Sequence, residues 1–537
     1  MRKRLIVWAG LIIAIVSVAA GSSFAVTGKS DAKVLRMSIG AEPPSLDPGL
    51  ATDTTSSNIL LNIMDPLVKL GPPPALKPLP SLAQSWDVKG TDVTLHLRHD
   101  AKWTNGQPVT AQDFVWSWLR TISPELGADY AYQFFGIVGA EAYNSCDAAK
   151  ADCNALKAKV GVSAPDKYTL KIKLTSAQPW FIQQLAHHSF LAVNKSAVDA
   201  HGSKWTEPSN IVTDGPFMLT AWKHDASLTM TKSPKYRLAK SVKIDRIESQ
   251  IISDASTALT AFDAGNIDID TTGFNPTDIP RLKKRPEWKL FSALGTYYYG
   301  FNVRNITDVN QRRAMATVID RQAIIKFITR AGQLPATGFT PASIAGGNVI
   351  DQHNWLPKTH NDKKAKEFMA KVKNPKKDIN LFFNNAPGHP QIATAIQSFW
   401  KGLGLNVTLR QMEWKQYLQF LGPPPNEQVD AYRLGWIGDF PDAYNFLSLW
   451  TCKSGNNNTN YCNAKFDALM DKAVATANAD ARYKIYQQAE DMLTGPNGDL
   501  PIMPIYWYTF QNLVKNNVHG FFENPMGQWD LAKVTIS

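Results

Sequence analysis

Alternation of apolar and polar positions marks several strands. In VTLHLR, Val93, Leu95 and Leu97 fall on one face. In YTLKIKL, Tyr168, Leu170, Ile172 and Leu174 share a face, with Lys171 and Lys173 opposite. A period of two is the mark of a half-buried strand. Residues 243–247 and 379–383, and NVTLR after Gly404, predict three shorter ones. A period near 3.6 predicts helices over 311–328, 391–400 and 481–493. Gly402 and Gly404 stop the second, and Asp480 is placed to cap the third. Segments 72–80, 384–391 and 421–428 are proline-rich crossings or loops. Strands interleaved with helices over this length predict mixed α/β architecture in more than one domain.

Length agrees, since 537 residues exceed one domain. Hydrophobic content of 44% and charged content of 19% are those of a globular chain. Arg2, Lys3 and Arg4 precede an apolar run from Leu5 to Ala20 and then GSSFA. This predicts a secretory signal over 1–25 with cleavage near Ala25, the rival being a retained anchor. No cysteine follows the run, so a lipobox is absent. Losing residues 1–25 removes three positive charges and no acids, and the net charge falls from +11 to +8. The remaining charges are dispersed. RLKKR at 281–285 reads as an exposed helix end, and nucleic acid is not an expected partner. Cys146 lies close to Cys153, and Cys452 to Cys462, so two local disulfides fit an exported chain.

Catalytic signatures are missing: no GxGxxG, P-loop, HExxH or GxSxG occurs. His187 and His188 are adjacent and cannot share one helix or strand face, which argues against zinc. Asp268 and Asp270, in GNIDID, read as a surface strand edge and not as a catalytic pair. No enzyme, metal or cofactor is expected. One stretch stands out, GWIGDFPDAYNFLSLW at 435–450, where Asp439 interrupts an aromatic run. A buried carboxylate is costly without a partner. No Lys or Arg lies between Arg433 and Lys453. Either Asp439 caps a helix after Pro441 or its partner comes from far along the chain or from outside the protein.

Six stretches, in order, carry a resemblance: AEPPSLDPG (41–49), LRHDAKWTNGQPVTAQDFVWSW (97–118), NIVTDGPFML (210–219), TYYYGFNV (296–303), RRAMATVIDR (312–321) and GWIGDFPDAYNFL (435–447). Together they resemble the periplasmic oligopeptide-binding proteins of bacterial ABC transporters, in the peptide/nickel-binding superfamily (solute-binding protein family 5). The resemblance implies a bilobed type II periplasmic-binding-protein fold with an additional domain. Domain I would comprise 31–70, 206–296 and 501–537, domain II 71–205, and domain III 297–500. It implies a monomer that encloses a short peptide between its lobes and hands it to the permease subunits of a membrane importer.

By the same resemblance Asp439 would hold the peptide's free ammonium, its burial compensated only when ligand is present. Arg433 would meet a short peptide's carboxylate, and His389 would serve longer ones. Trp414, Trp436, Gly435, Tyr130 and Tyr508 would line the pocket. Thr52, Asp53 and Thr54 match a ligand-contacting segment, but close relatives carry the acid first, so here it has shifted to Asp53 or left the site. A disulfide that links the TYYY region to the GW motif in some relatives is replaced by Leu294-Gly295 and Ile437. Two other readings stay open: a non-peptide solute such as a nickel complex, opine or sugar, and an envelope chaperone.

Overall fold

An eleven-stranded sheet forms the backbone of the molecule. The computed structural model describes residues 32–422 and 426–537, so the expected signal segment, and 423–425 of the 421–428 loop, lie outside the described residues. From one edge the strands run Asn406–Met412, Asp378–Asn384, Ala431–Ile437, Trp288–Phe301, Ile502–Val514, Ile269–Asp270, Val34–Ile39, Arg246–Ile251, Ser227–Lys232 and Phe217–Lys223. Leu334–Pro335 adds to Ile502–Val514.

Two long strands, Trp288–Phe301 and Ile502–Val514, join the two halves of this sheet. In TYYYGF, Tyr297, Tyr299 and Phe301 pack with Leu381, Ile396 and Trp400 on one face. Tyr298 packs with Phe339, Tyr432 and Trp450 on the other. Burial on both faces explains a continuous aromatic run where a one-sided strand would alternate. At the far half, Leu35, Met37, Phe217, Met230 and Ile247 form a separate core.

A second, four-stranded antiparallel sheet comprises Ala83–Lys89, Asp92–Leu97, Thr169–Lys173 and Val162–Asp166. Val93, Leu95, Leu170 and Ile172 enter its core with Trp118, Phe134 and Phe190, as the alternation predicts. Residues 67–192 thus own a core of their own, although Lys33–Ser537 form a single contact unit. The expected 296/297 boundary falls inside the strand Trp288–Phe301, beside a register shift between Ser292 and Thr296.

Four readings of local structure are corrected. The 311–328 helix is interrupted after Val309–Thr317 and restarts at Arg321, capped by Asp320, running on as a π-helix over Ile324–Thr329. Tertiary contacts win there, because the buried Arg321 guanidinium donates to the carbonyls of Pro504 and Pro357. The 243–247 strand lies at Arg246–Ile251, where parallel pairing with Val34–Ile39 fixes it. The helix Ala479–Thr494 is capped by Asn478 and not by Asp480. Asp268 and Asp270 are buried and not at a surface edge. Ile269–Asp270 sits inside the large sheet, Asp268 pairs with Arg36 at 2.7 Å, and Asp270 accepts from the Ser38 hydroxyl at 2.7 Å. The cysteines pair as Cys146–Cys153 and Cys452–Cys462.

Candidate functional site

The strand Ala431–Ile437 explains where the site lies. One side of it pairs with Trp288–Phe301 along its length. Its other side pairs with Asp378–Asn384 only at Ala431 and Tyr432. Residues 433–437 therefore present a strand edge without a neighbouring strand among the described residues. That edge lines a cavity of about 580 Å³. All eleven ligand-binding candidates named from the sequence line the same cavity: Thr52, Asp53, Thr54, Tyr130, His389, Trp414, Arg433, Gly435, Trp436, Asp439 and Tyr508. Gly435 has to be small, since a Cβ there would lie 2.3 Å from the Tyr508 hydroxyl.

Asp439 is only 5% exposed. Its Oδ2 accepts from Gln133 Nε2 and from Asn445 Nδ2, each at 2.7 Å. Its Oδ1 accepts from the Tyr130 hydroxyl at 3.1 Å, and His187 Nε2 lies 3.1 Å away. Burial holds the Tyr130 hydroxyl far above the usual tyrosine range, so it remains a donor. The expectation that only ligand compensates this carboxylate is therefore corrected. Polar side chains some 250 to 310 positions earlier in the sequence already do so. The capping alternative is corrected too: Asp442 accepts from Tyr444 N–H at the following turn, while the Asp439 N–H donates to Asn445 Oδ1.

Arg433 is buried without a carboxylate partner among the described residues. Its guanidinium donates to Asn384 Oδ1 at 3.1 Å and to the Tyr508 hydroxyl, and lies 4.4 Å from the Tyr297 ring centroid. Its Nε has no hydrogen-bond partner among the described residues. His389 is held neutral, its pKa driven well below the usual value by burial and by the Arg433 charge.

Asp53 lines the cavity, but its carboxylate is engaged in capping the helix Thr54–Ile63, accepting from Thr55 N–H, Ser56 N–H and the Ser56 hydroxyl. The Trp436 indole donates to Asn445 at 3.0 Å. Asp129 also lines the cavity, half-buried and without a hydrogen-bonding or ionic partner among the described residues, and burial pushes it up to about 6.

Sequence reasoning missed Gln133, Asn445, Asp129 and His187 as site residues. His187 and His188 were legible as an unusual polar pair in an apolar run. Although adjacent, both reach this cavity wall, because the chain changes from extended at His187 to the 3-10 turn His188–Phe190 between them. Asn445 lies within the same motif as Asp439. Gln133 and Asp129 carried no sequence signal.

A cavity walled by separately cored parts of one chain, with a free strand edge and buried charges of both signs, defines a ligand-binding clamp. Residues 77–458 match the family described as bacterial extracellular solute-binding proteins, family 5 Middle. The chain belongs to this family. It is 32% identical over 521 residues to the oligopeptide-binding protein OppA of Bacillus subtilis strain 168, covering 93% of each chain. It is similar to the structure of the Haemophilus influenzae OppA complex with RPPGFSPFR, with a TM-score of 0.86, 28% identity and coverage of 94% and 99%. The Escherichia coli murein tripeptide binding protein MppA gives a TM-score of 0.85 at 29% identity, with 94% and 99% covered. An unliganded open form of MppA gives 0.63 at 28% identity, with 94% and 98% covered.

Proposed function

We propose that this chain captures short peptides with a free amino terminus outside the cytoplasm and delivers them to the permease subunits of an ABC importer. The observation that carries the reading is the free edge of residues 433–437, bracketed in sequence by the Arg433 cation and the Asp439 anion. An extended peptide satisfies such an edge by adding a strand, with its side chains alternating into pockets on either side. Its ammonium suits Asp439 and its carboxylate suits Arg433, the two charge-assisted contacts a zwitterion offers. Backbone recognition of this kind is indifferent to side-chain identity. Domains I, II and III, as divided above, are the rigid parts of the clamp, and the protein acts as a monomer. The peptides bound by the relatives support the same reading.

Mass spectrometry of ligands released from the purified protein tests it, with calorimetric titration of the peptides found. Free-amine peptides are expected to dominate. Recovery of a non-peptide solute, or equal binding of amino-blocked segments, would replace this reading with one of the two alternatives.

A further inference from the structure

The two oxygens of Asp439 are not equivalent. The partners of Oδ1, Tyr130 and His187, line the large cavity. The partners of Oδ2, Gln133 and Asn445, do not. They line a second, smaller cavity of about 310 Å³ on the other side. Oδ2 is thus gripped from behind by two contacts of 2.7 Å, and Oδ1 is left at the cavity wall with the longer ones. Asn445 belongs to the same motif as Asp439, but Gln133 comes from the part of the chain that owns its own core. Gln133 is itself held: Gln184 Nε2 donates to its backbone carbonyl at 3.0 Å and to its Oε1 at 3.4 Å. An amide whose oxygen accepts from Gln184 turns its NH₂ toward Asp439. Both glutamines are buried, at 8% and 3% exposure.

We infer that Gln133, backed by Gln184, is a positioning residue that aims Asp439 Oδ1 at the ligand's ammonium when the two parts of the clamp meet. This rests on the peptide reading above and assigns a role to residues that do not line the large cavity. A carboxylate free to rotate presents its charge in many directions, whereas one locked at Oδ2 offers Oδ1 in a single geometry. The amino terminus would then be recognised only in the closed clamp, because Asp439 and Gln133 lie on opposite sides of its junction.

The test uses the full mature chain, trialanine and N-acetyl-trialanine, and the ratio of their affinities. The parent favours the free amine. Gln133→Met keeps length but removes the donor. It is expected to lower trialanine affinity about tenfold to a hundredfold, the worth of one hydrogen bond to a charged group, and to leave the acetylated peptide unchanged. Gln184→Met is expected to do the same more weakly.

Gln133→Glu adds a readout that a purely structural role would not move. At pH 7.5 the new carboxylate repels Asp439 and the ratio collapses. At pH 5 the pair shares a proton, the introduced O–H donates to Oδ2, and the ratio recovers relative to the parent at the same pH. The other acidic and basic groups near this position, His187 and Asp129 in front and Glu141, Lys453, Asp467 and Asp471 around the rear cavity, are common to parent and variant. Equal loss of both affinities in Gln133→Met, or an unchanged ratio in Gln133→Met and Gln133→Glu, would overturn the inference. A parent that does not discriminate the two peptides would instead overturn the Asp439 reading on which it rests.

Discussion

The Asp439 and Arg433 corners of the cavity are built in opposite ways. Around Arg433, Asn384, Tyr297 and Tyr508 come from neighbouring strands of one sheet, in the order Asp378–Asn384, Ala431–Ile437, Trp288–Phe301, Ile502–Val514. Backbone hydrogen bonding fixes that corner before any ligand arrives. Around Asp439, Tyr130, Gln133 and His187 cross from a part of the chain with its own sheet and core. Other contacts flank this junction: Trp180 stacks on Tyr444 at 4.9 Å, and Lys453 pairs with Glu141. Gly455 lies so close to the Asp129 carbonyl that a Cβ would come within 2.3 Å of it. One corner is a property of the sheet, and the other exists only where two separately cored parts of the chain meet. A cation held by neutral groups keeps its charge unneutralised, whereas the anion is oriented by donors from a separately cored part of the chain.

Four experiments probe this contrast. The largest effect is expected from Asp439→Asn, which keeps shape and removes charge. Breaking a buried charged contact costs about 2–5 kcal/mol, roughly thirtyfold to several-thousandfold in affinity. The loss should be non-additive with N-acetylation of the peptide, since each deletes one end of the same interaction. Calorimetry on the full cycle reads it, and unchanged binding of a free-amine peptide would remove Asp439 from the site.

Next comes the Cys452–Cys462 bond, whose loop carries Gly455 and other cavity-lining residues at the Asp439 junction. Replacing both cysteines with serine should lower stability by about 3 kcal/mol through lost loop constraint. It should weaken free-amine recognition more than carboxylate recognition. Equal weakening would show that the two corners are not independent.

Arg433→Met should cost about 1.5–3 kcal/mol for a tripeptide with a free carboxylate and little for its amide. The contrast with Asp439 is sharpened if circular dichroism and melting show no loss of the sheet.

The smallest effect is on pH dependence. Asp129, raised to about 6 by burial, binds protons in the folded state that the unfolded chain has already released. Folded protein therefore holds more protons between the usual carboxylate range and about pH 6, and this group's contribution to stability falls as pH rises through that window. Asp129→Asn should stabilise the protein by about 1–2 kcal/mol at pH 8, allowing for partial exposure, and leave it unchanged near pH 4. Urea melts at both pH values measure it, and an effect of equal size at both would assign the change to packing.

Local pattern determined much of this protein. Alternation located Asp92–Leu97, Thr169–Lys173, Asp378–Asn384 and Asn406–Met412, because side-chain period and one-sided burial are local matters. Short spacing paired the cysteines, since a loop of seven or ten residues closes readily. The ordered motifs carried the family. Tertiary structure alone decided where charges go. Asp268 and Asp270 share an alternation that suits a sheet edge, and only the strand order reveals neighbours on both sides. The break after Thr317 follows from carbonyls at Pro357 and Pro504 that recruit Arg321. Asp439 finds Gln133 across 306 residues. Hydrogen-bond partners of a buried carboxylate are set by distance in space, to which neither periodicity nor spacing along the chain gives access.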